Sequence, residues 1–135
     1  GGVLDRLCMS ISSFAAGSAR LGIYKSTSDI NLYPSSLVVD GGVLDTGFNG
    51  VKSSVINISL LPDQLYWFVI LCNAAPTISA FSVAGSSLIW GLSNALTISN
   101  LLTVSQTFGA LPSSFPVSGV ISSIVIPLIA CRYSA

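Results

Sequence analysis

Hydrophobic and polar positions alternate with a period of two along much of this chain, the pattern a half-buried β-strand requires. The clearest run is 55–72. Ile56, Ile58 and Leu60 fall on one face, and Val55, Asn57 and Ser59 on the other. Leu61-Pro62-Asp63-Gln64 is turn chemistry, because Pro62 presets its own φ and Asp63 tolerates a tight bend. The residues from Leu65 to Cys72 then form an unbroken apolar run rich in aromatic and β-branched side chains, as in a strand covered on both faces. The pattern predicts a central hairpin over 55–72 on which the other strands assemble. Ile56, Ile58, Tyr66, Trp67 and Val69 are its candidate core residues.

Other strands read in the same way. Over 3–12, Leu7, Met9 and Ile11 oppose Cys8, Ser10 and Ser12. Over 19–25, Ala19, Leu21 and Ile23 point inward, with Arg20, Tyr24 and Lys25 nearer solvent. The short Gly17-containing link between these runs predicts a second hairpin. A polar loop follows over 26–36, then a strand from Leu37 that meets a bulge or turn at Asp40-Gly41-Gly42. Gly47-Phe48-Asn49-Gly50 makes another turn. Ile78 to Val83 reads as a strand, 85–116 carries weak character ending in loop, and 124–132 closes the chain as an edge strand marked by Pro127.

Many short strands between turn residues, with no strong amphipathic helix, indicate an all-β fold: a single-domain antiparallel β-sandwich over 1–135, jelly-roll-like. Composition sharpens this picture. Charged residues are 7% of the chain, hydrophobic residues 51%, and five basic side chains balance five acidic ones; an ordinary soluble domain carries roughly 25% charged residues. Near-zero net charge favours association, so partner chains are expected to cover much of the exterior. The scattered Arg6, Arg20, Lys25, Lys52 and Arg132 offer no stripe for nucleic acid. No apolar stretch reaches the roughly 18 residues of a spanning helix.

Several short segments, taken in order, resemble a β-sandwich domain of tailed-bacteriophage virion proteins, as found in tail-fibre and decoration-type proteins. They are Arg20-Leu21-Gly22-Ile23-Tyr24, Tyr33-Pro34-Ser35-Ser36-Leu37, Asp40-Gly41-Gly42, Gly50-Val51-Lys52 and Pro62-Asp63-Gln64-Leu65-Tyr66-Trp67, with Phe108-Gly109-Ala110-Leu111-Pro112-Ser113-Ser114-Phe115-Pro116 as a closing loop. The resemblance covers roughly 18–130. It departs at Asp63-Gln64, where the family usually carries Gly, and at the start, where an earlier strand is expected ahead of Gly1. The chain is therefore readable as a whole domain or as the C-terminal part of a longer fibre protein.

The resemblance implies a non-catalytic structural protein on the exterior of the virion. Its expected role is a homotrimeric surface module of the tail or fibre, mediating assembly with other virion proteins and attachment to a host-surface glycan. The alternative is a capsid cement or decoration protein stabilising the head shell; a polysaccharide depolymerase is the disfavoured third reading. Tyr33, Phe108 and Phe115 are the candidate surface-loop contacts.

Candidate chemistry is sparse. The chain has no His, which removes a Ser-His-Asp triad and any His-bearing metal site. No cofactor fingerprint appears, and no catalytic or metal-ligating set is assigned. Asp40 and Asp45 flank Gly41-Gly42 and offer two oxygen ligands for calcium, but turn and cap chemistry is the favoured reading. Glycoside hydrolysis would need a carboxylate pair in a cleft, which nothing in the pattern suggests. Cys8, Cys72 and Cys131 read as buried free thiols, with one disulfide left open.

Overall fold

The computed structural model describes residues 2–27, 33–82, 102–116, 121–122 and 125–134. Among them every strand pairing is antiparallel and no helix occurs. Two sheets pack face to face as a β-sandwich. In the first, β1 (Val3–Ser13) lies between β4 (Gly50–Ser59) and β11 (Ile129–Tyr133). The short β6 (Thr77–Ile78) continues the β11 edge, because Ile11 pairs with Gly50 on one side and Ile78 on the other. In the second sheet β2 (Ser18–Ser26) lies between β3 (Pro34–Asp45) and β5 (Tyr66–Cys72). Two small ribbons complete the description: β7 (Ala80–Ser82) with β10 (Val125–Pro127), and β8 (Leu102–Thr103) with β9 (Ile121–Ser122). The weak segments expected over 88–101 lie outside the described residues.

The strands over 55–72 form, but not the hairpin. β4 pairs with β1 and β5 pairs with β2, so the turn at Pro62-Asp63 carries the chain from one sheet to the other. The link between β1 and β2 is likewise an arch, not a hairpin. Periodicity reports which face of a strand is buried; it does not report which neighbour pairs with it. The best-buried strands are β1 and β2, and each takes the middle of its own sheet, leaving β4 and β5 as flanks. Strands that switch sheets in this way are a sandwich trait. The break at Leu128 separates β10 from β11, and Pro127 is the residue before it, as its missing N–H favours.

The core between the sheets follows the alternation closely. Leu4, Leu7, Met9 and Ile11 of β1 meet Ala19, Leu21 and Ile23 of β2, with Ile56 of β4 closing the cluster. Ile58, Leu60, Tyr66, Ile70 and Cys72 pack around it. Cross-strand partners share a face, which divides the apolar run of β5. Tyr66, Phe68, Ile70 and Cys72 sit opposite Lys25, Ile23, Leu21 and Ala19; Tyr66, Ile70 and Cys72 pack on the core, and Phe68 is left exposed on the flank of the sheet. Trp67 and Val69 sit opposite Tyr24 and Gly22, on the outer side. Trp67 and Val69, candidate core residues, therefore lie on the outer face of the sheet, both half-buried, while Tyr66 packs on the inter-sheet core. Adjacent residues of one strand cannot both face the same side.

A second layer is built by the segment over 108–116, which crosses the outside of the β3-β2-β5 sheet. Leu37 N–H donates to Ser113 O at 2.9 Å and Phe115 N–H to Ser35 O at 2.7 Å, so the segment also covers part of the β3 edge. Leu111 is buried against Gly22. A Cβ on Gly22 would run into the Leu111 side chain and come 2.8 Å from the Val39 carbonyl oxygen. The Tyr24 hydroxyl donates to Pro112 O at 2.6 Å, and the Phe115 ring meets the Tyr24 ring edge-on at 5.3 Å between centroids. Tyr24, expected near solvent, is thus 1% exposed. An isolated strand pattern places a Tyr outward but cannot show that a segment some ninety positions later will cover it.

Asp40 anchors the segment. Its Oδ2 accepts from Arg20 Nη1 at 2.7 Å and from Leu111 N–H at 2.9 Å, and its Oδ1 accepts from Gly42 N–H at 2.9 Å. Gly41 and Gly42 together oppose Leu21, which makes a β-bulge, with Gly42 at φ +81°. Gly41 lets the backbone come close to Ser54 of the facing sheet: a Cβ there would lie 2.7 Å from the Ser54 Cβ. Burial pushes the Asp40 carboxyl up, but the bonds from Leu111, Gly42 and Arg20 outweigh it and hold it below its ordinary value. Its contribution to stability is whole above the ordinary carboxylate range and is lost as pH falls through the depressed value.

Two outcomes test this outer layer. Gly22→Ala should destabilise the protein by about 1–3 kcal/mol, the usual range for overpacking, in a urea titration followed by tryptophan fluorescence. Burial pushes the Tyr24 phenol up to about 12. The stability it supplies is complete below the unfolded tyrosine value near 10 and is lost as pH rises through its folded value. A spectrophotometric alkaline titration should show a late phenolate step that is absent from Tyr24→Phe.

Candidate functional site

Strand order gathers one set of chain segments at a single end of the sandwich. The start of β1, the end of β2, the start of β3, the arch between β4 and β5, and the end of β11 all meet there, since Val3 pairs with Ser59, Leu4 with Tyr133, and Ser26 with Pro34. Three of the four tyrosines lie in these segments: Tyr33, Tyr66 and Tyr133.

Ser26 fixes the arch to the end of β2. Its N–H donates to Leu65 O at 3.0 Å, its carbonyl accepts from Gln64 Nε2 at 3.0 Å, and its hydroxyl accepts from Trp67 Nε1 at 3.2 Å. Within the arch, Leu61 N–H donates to the Tyr66 hydroxyl oxygen at 3.0 Å. Asp63 takes φ +56°, a left-handed conformation that Asp tolerates. Pro62-Asp63 is therefore a true turn, though one between sheets.

These bonds shape a depression of about 390 Å³ lined by Gly2, Leu60, Leu61, Pro62, Gln64, Tyr66 and Tyr133. No lining residue carries a charge. The Tyr133 ring lies against Gly2, where a Cβ would come within 2.6 Å of Tyr133 Cδ1. Tyr133 is 57% exposed. Among the described residues nothing donates to Gln64 Oε1, and the Tyr133 hydroxyl has no bonded partner. The depression thus has aromatic and aliphatic walls with a few polar groups, the make-up of small-ligand sites.

The three loop aromatics named from the sequence do not form one surface. Tyr33 is 58% exposed and lies near Phe115 through the bond from Phe115 N–H to Ser35 O. Phe115 is half-buried with its ring on Tyr24, so it serves the outer layer. Phe108 is half-buried and precedes the Asp40 contact, toward the middle of β3. Tyr133 and Gln64 carried no sequence signal: Tyr133 closes a strand and Gln64 sits in a turn. Only the strand pairing that joins the two ends of the chain brings them together.

Three of the five aspartates serve the fold. Asp40 holds Arg20 and the 108–116 segment, Asp45 Oδ1 accepts from Gly47 N–H at 2.7 Å, and Asp5 is paired with Arg132 at 2.6 Å. Asp40 and Asp45 thus carry the bulge and turn chemistry favoured for them. The three cysteines are free thiols. Burial pushes the Cys72 thiol up, whereas Cys131, expected to be buried, is exposed on the edge strand β11, where the core cover ends. No helix among the described residues is long and apolar enough to cross a membrane. Comparison with protein-family models, with curated proteins and with solved structures finds no match.

Proposed function

We propose that this chain is a non-catalytic structural module of a bacteriophage particle, carried on the exterior at the tail or fibre and assembled as a homotrimer. The observation that carries the assembly reading is an exposed apolar strip on β4, which flanks its sheet among the described residues. Val51 and Val55 of β4 are 72% and 73% exposed, and Phe48 just before the strand is 69% exposed. Exposed apolar edges of this kind mark contacts with other chains. With charged residues at 7% of the chain, little repulsion opposes such a contact. The virion setting rests on the ordered resemblance over 18–130 and on the sandwich architecture. The non-catalytic reading rests on the engagement of Asp5, Asp40 and Asp45 in ion pairs and turns.

Light scattering after size-exclusion chromatography should return the mass of three chains at micromolar concentration. The double variant Val51→Lys, Val55→Lys should run as a monomer with an unchanged circular dichroism spectrum. A monomeric parent chain would overturn the assembly reading. Antibody-gold labelling of intact virions should decorate tails or fibres; label over the head would replace this placement by a shell-bound decoration role.

A further inference from the structure

We infer that the depression between Tyr66 and Tyr133 is a binding site for an uncharged sugar, a neutral hexose or N-acetylhexosamine residue. The inference deepens the reading of the chain as an exterior module and rests on it. Tyr133 is exposed, and Tyr66, half-buried with its ring packed against the core, also lines the depression together with Leu60, Leu61 and Pro62. Rings of this kind offer apolar faces to the C–H face of a pyranose and keep a hydroxyl in water. Three of the lining residues keep hydrogen-bonding capacity beyond the bonds they make: Gln64 through Oε1, Tyr133 through its hydroxyl, and Tyr66 through its hydroxyl proton, the oxygen already accepting from Leu61 N–H.

Competing ligand classes fit less well. A charged ligand would find no counter-charge, since none of the lining residues is ionised at neutral pH. A wholly apolar ligand would strip water from Gln64 and the two phenols without replacing their hydrogen bonds, which is costly. A neutral sugar satisfies both the rings and the polar groups. The volume of about 390 Å³ lies in the range of small-ligand sites, about 300–1,000 Å³. The site is also held in shape beforehand. Gln64 Nε2 is fixed by Ser26 O and Leu65 O, and Tyr66 by Leu61, so binding does not have to order them.

The test is saturation-transfer NMR on the full chain with methyl glycosides of glucose, galactose, mannose, rhamnose and N-acetylglucosamine at millimolar concentration. At least one glycoside should receive saturation, with its ring C–H protons strongest. Tyr133→Ala should weaken that binding at least tenfold, and Tyr133→Phe should weaken it less, because the ring remains. Tyr133 is exposed at a strand end, so circular dichroism should show both variants folded. Absence of transfer from every glycoside, or binding unchanged in Tyr133→Ala, overturns the inference. The two readings fail separately: gold label on the tail without sugar transfer removes only the sugar site, and particles bearing no label remove the exterior module.

Discussion

The constraint on which the fold depends is that β2 is buried on both faces from Leu21 to Tyr24. One side is sealed by Leu7, Met9 and Ile11 through the inter-sheet core. The other is sealed by Leu111, Pro112 and Phe115, which lie over Gly22 and Tyr24. The remaining features follow from that double burial. Position 22 must be glycine because Leu111 occupies the space of a side chain. Tyr24 needs a partner for its hydroxyl and finds Pro112 O. The overlying segment needs an anchor of its own, and the Asp40 carboxylate supplies one by bonding Leu111 N–H, Gly42 N–H and Arg20 together.

Charge is scarce in this chain, and the two ion pairs among the described residues join segments distant in sequence. The Arg20–Asp40 pair is largely shielded from water, with 19% of each side chain exposed, and it links a central strand to a bulge and a crossing segment. The Asp5–Arg132 pair joins the first strand to the last; its exposure makes it the weaker of the two. The surface left over is rich in Ser, Thr and aliphatic groups. The proposed assembly draws on this surface, with the exposed Val51 and Val55 of β4 as its contact.

The face of each long strand was legible in the sequence. Ile56, Ile58 and Leu60 point to the core, Val55, Asn57 and Ser59 to solvent, and Asp40-Gly41-Gly42 is a bulge. Pairing was not legible. A turn such as Leu61-Pro62-Asp63-Gln64 serves equally for a hairpin or for an arch between sheets, because its local chemistry is the same and only the partners of β4 and β5 differ. The outer layer was invisible for a related reason: Tyr24 and Leu111 meet through tertiary packing, and neither position has a periodic signal that points to the other. The depression at Tyr66, Gln64 and Tyr133 shares that origin, since residues near both chain ends become neighbours only when β1 and β11 pair. The unbroken apolar run of β5 suggests cover on both faces, but the strand flanks its sheet and is only half-buried, with Phe68 39% exposed.

Native-state hydrogen exchange resolved by residue tests double burial of β2 most directly. The account predicts that the Leu21, Ile23 and Tyr24 amides exchange only through global unfolding, with a free energy equal to that from urea titration. In Asp40→Ala the Leu37 and Phe115 amides, which hold the crossing segment to β3, should exchange much faster, through a smaller opening. Slowest exchange in β4, together with β2 amides that exchange well below the global free energy, would contradict it.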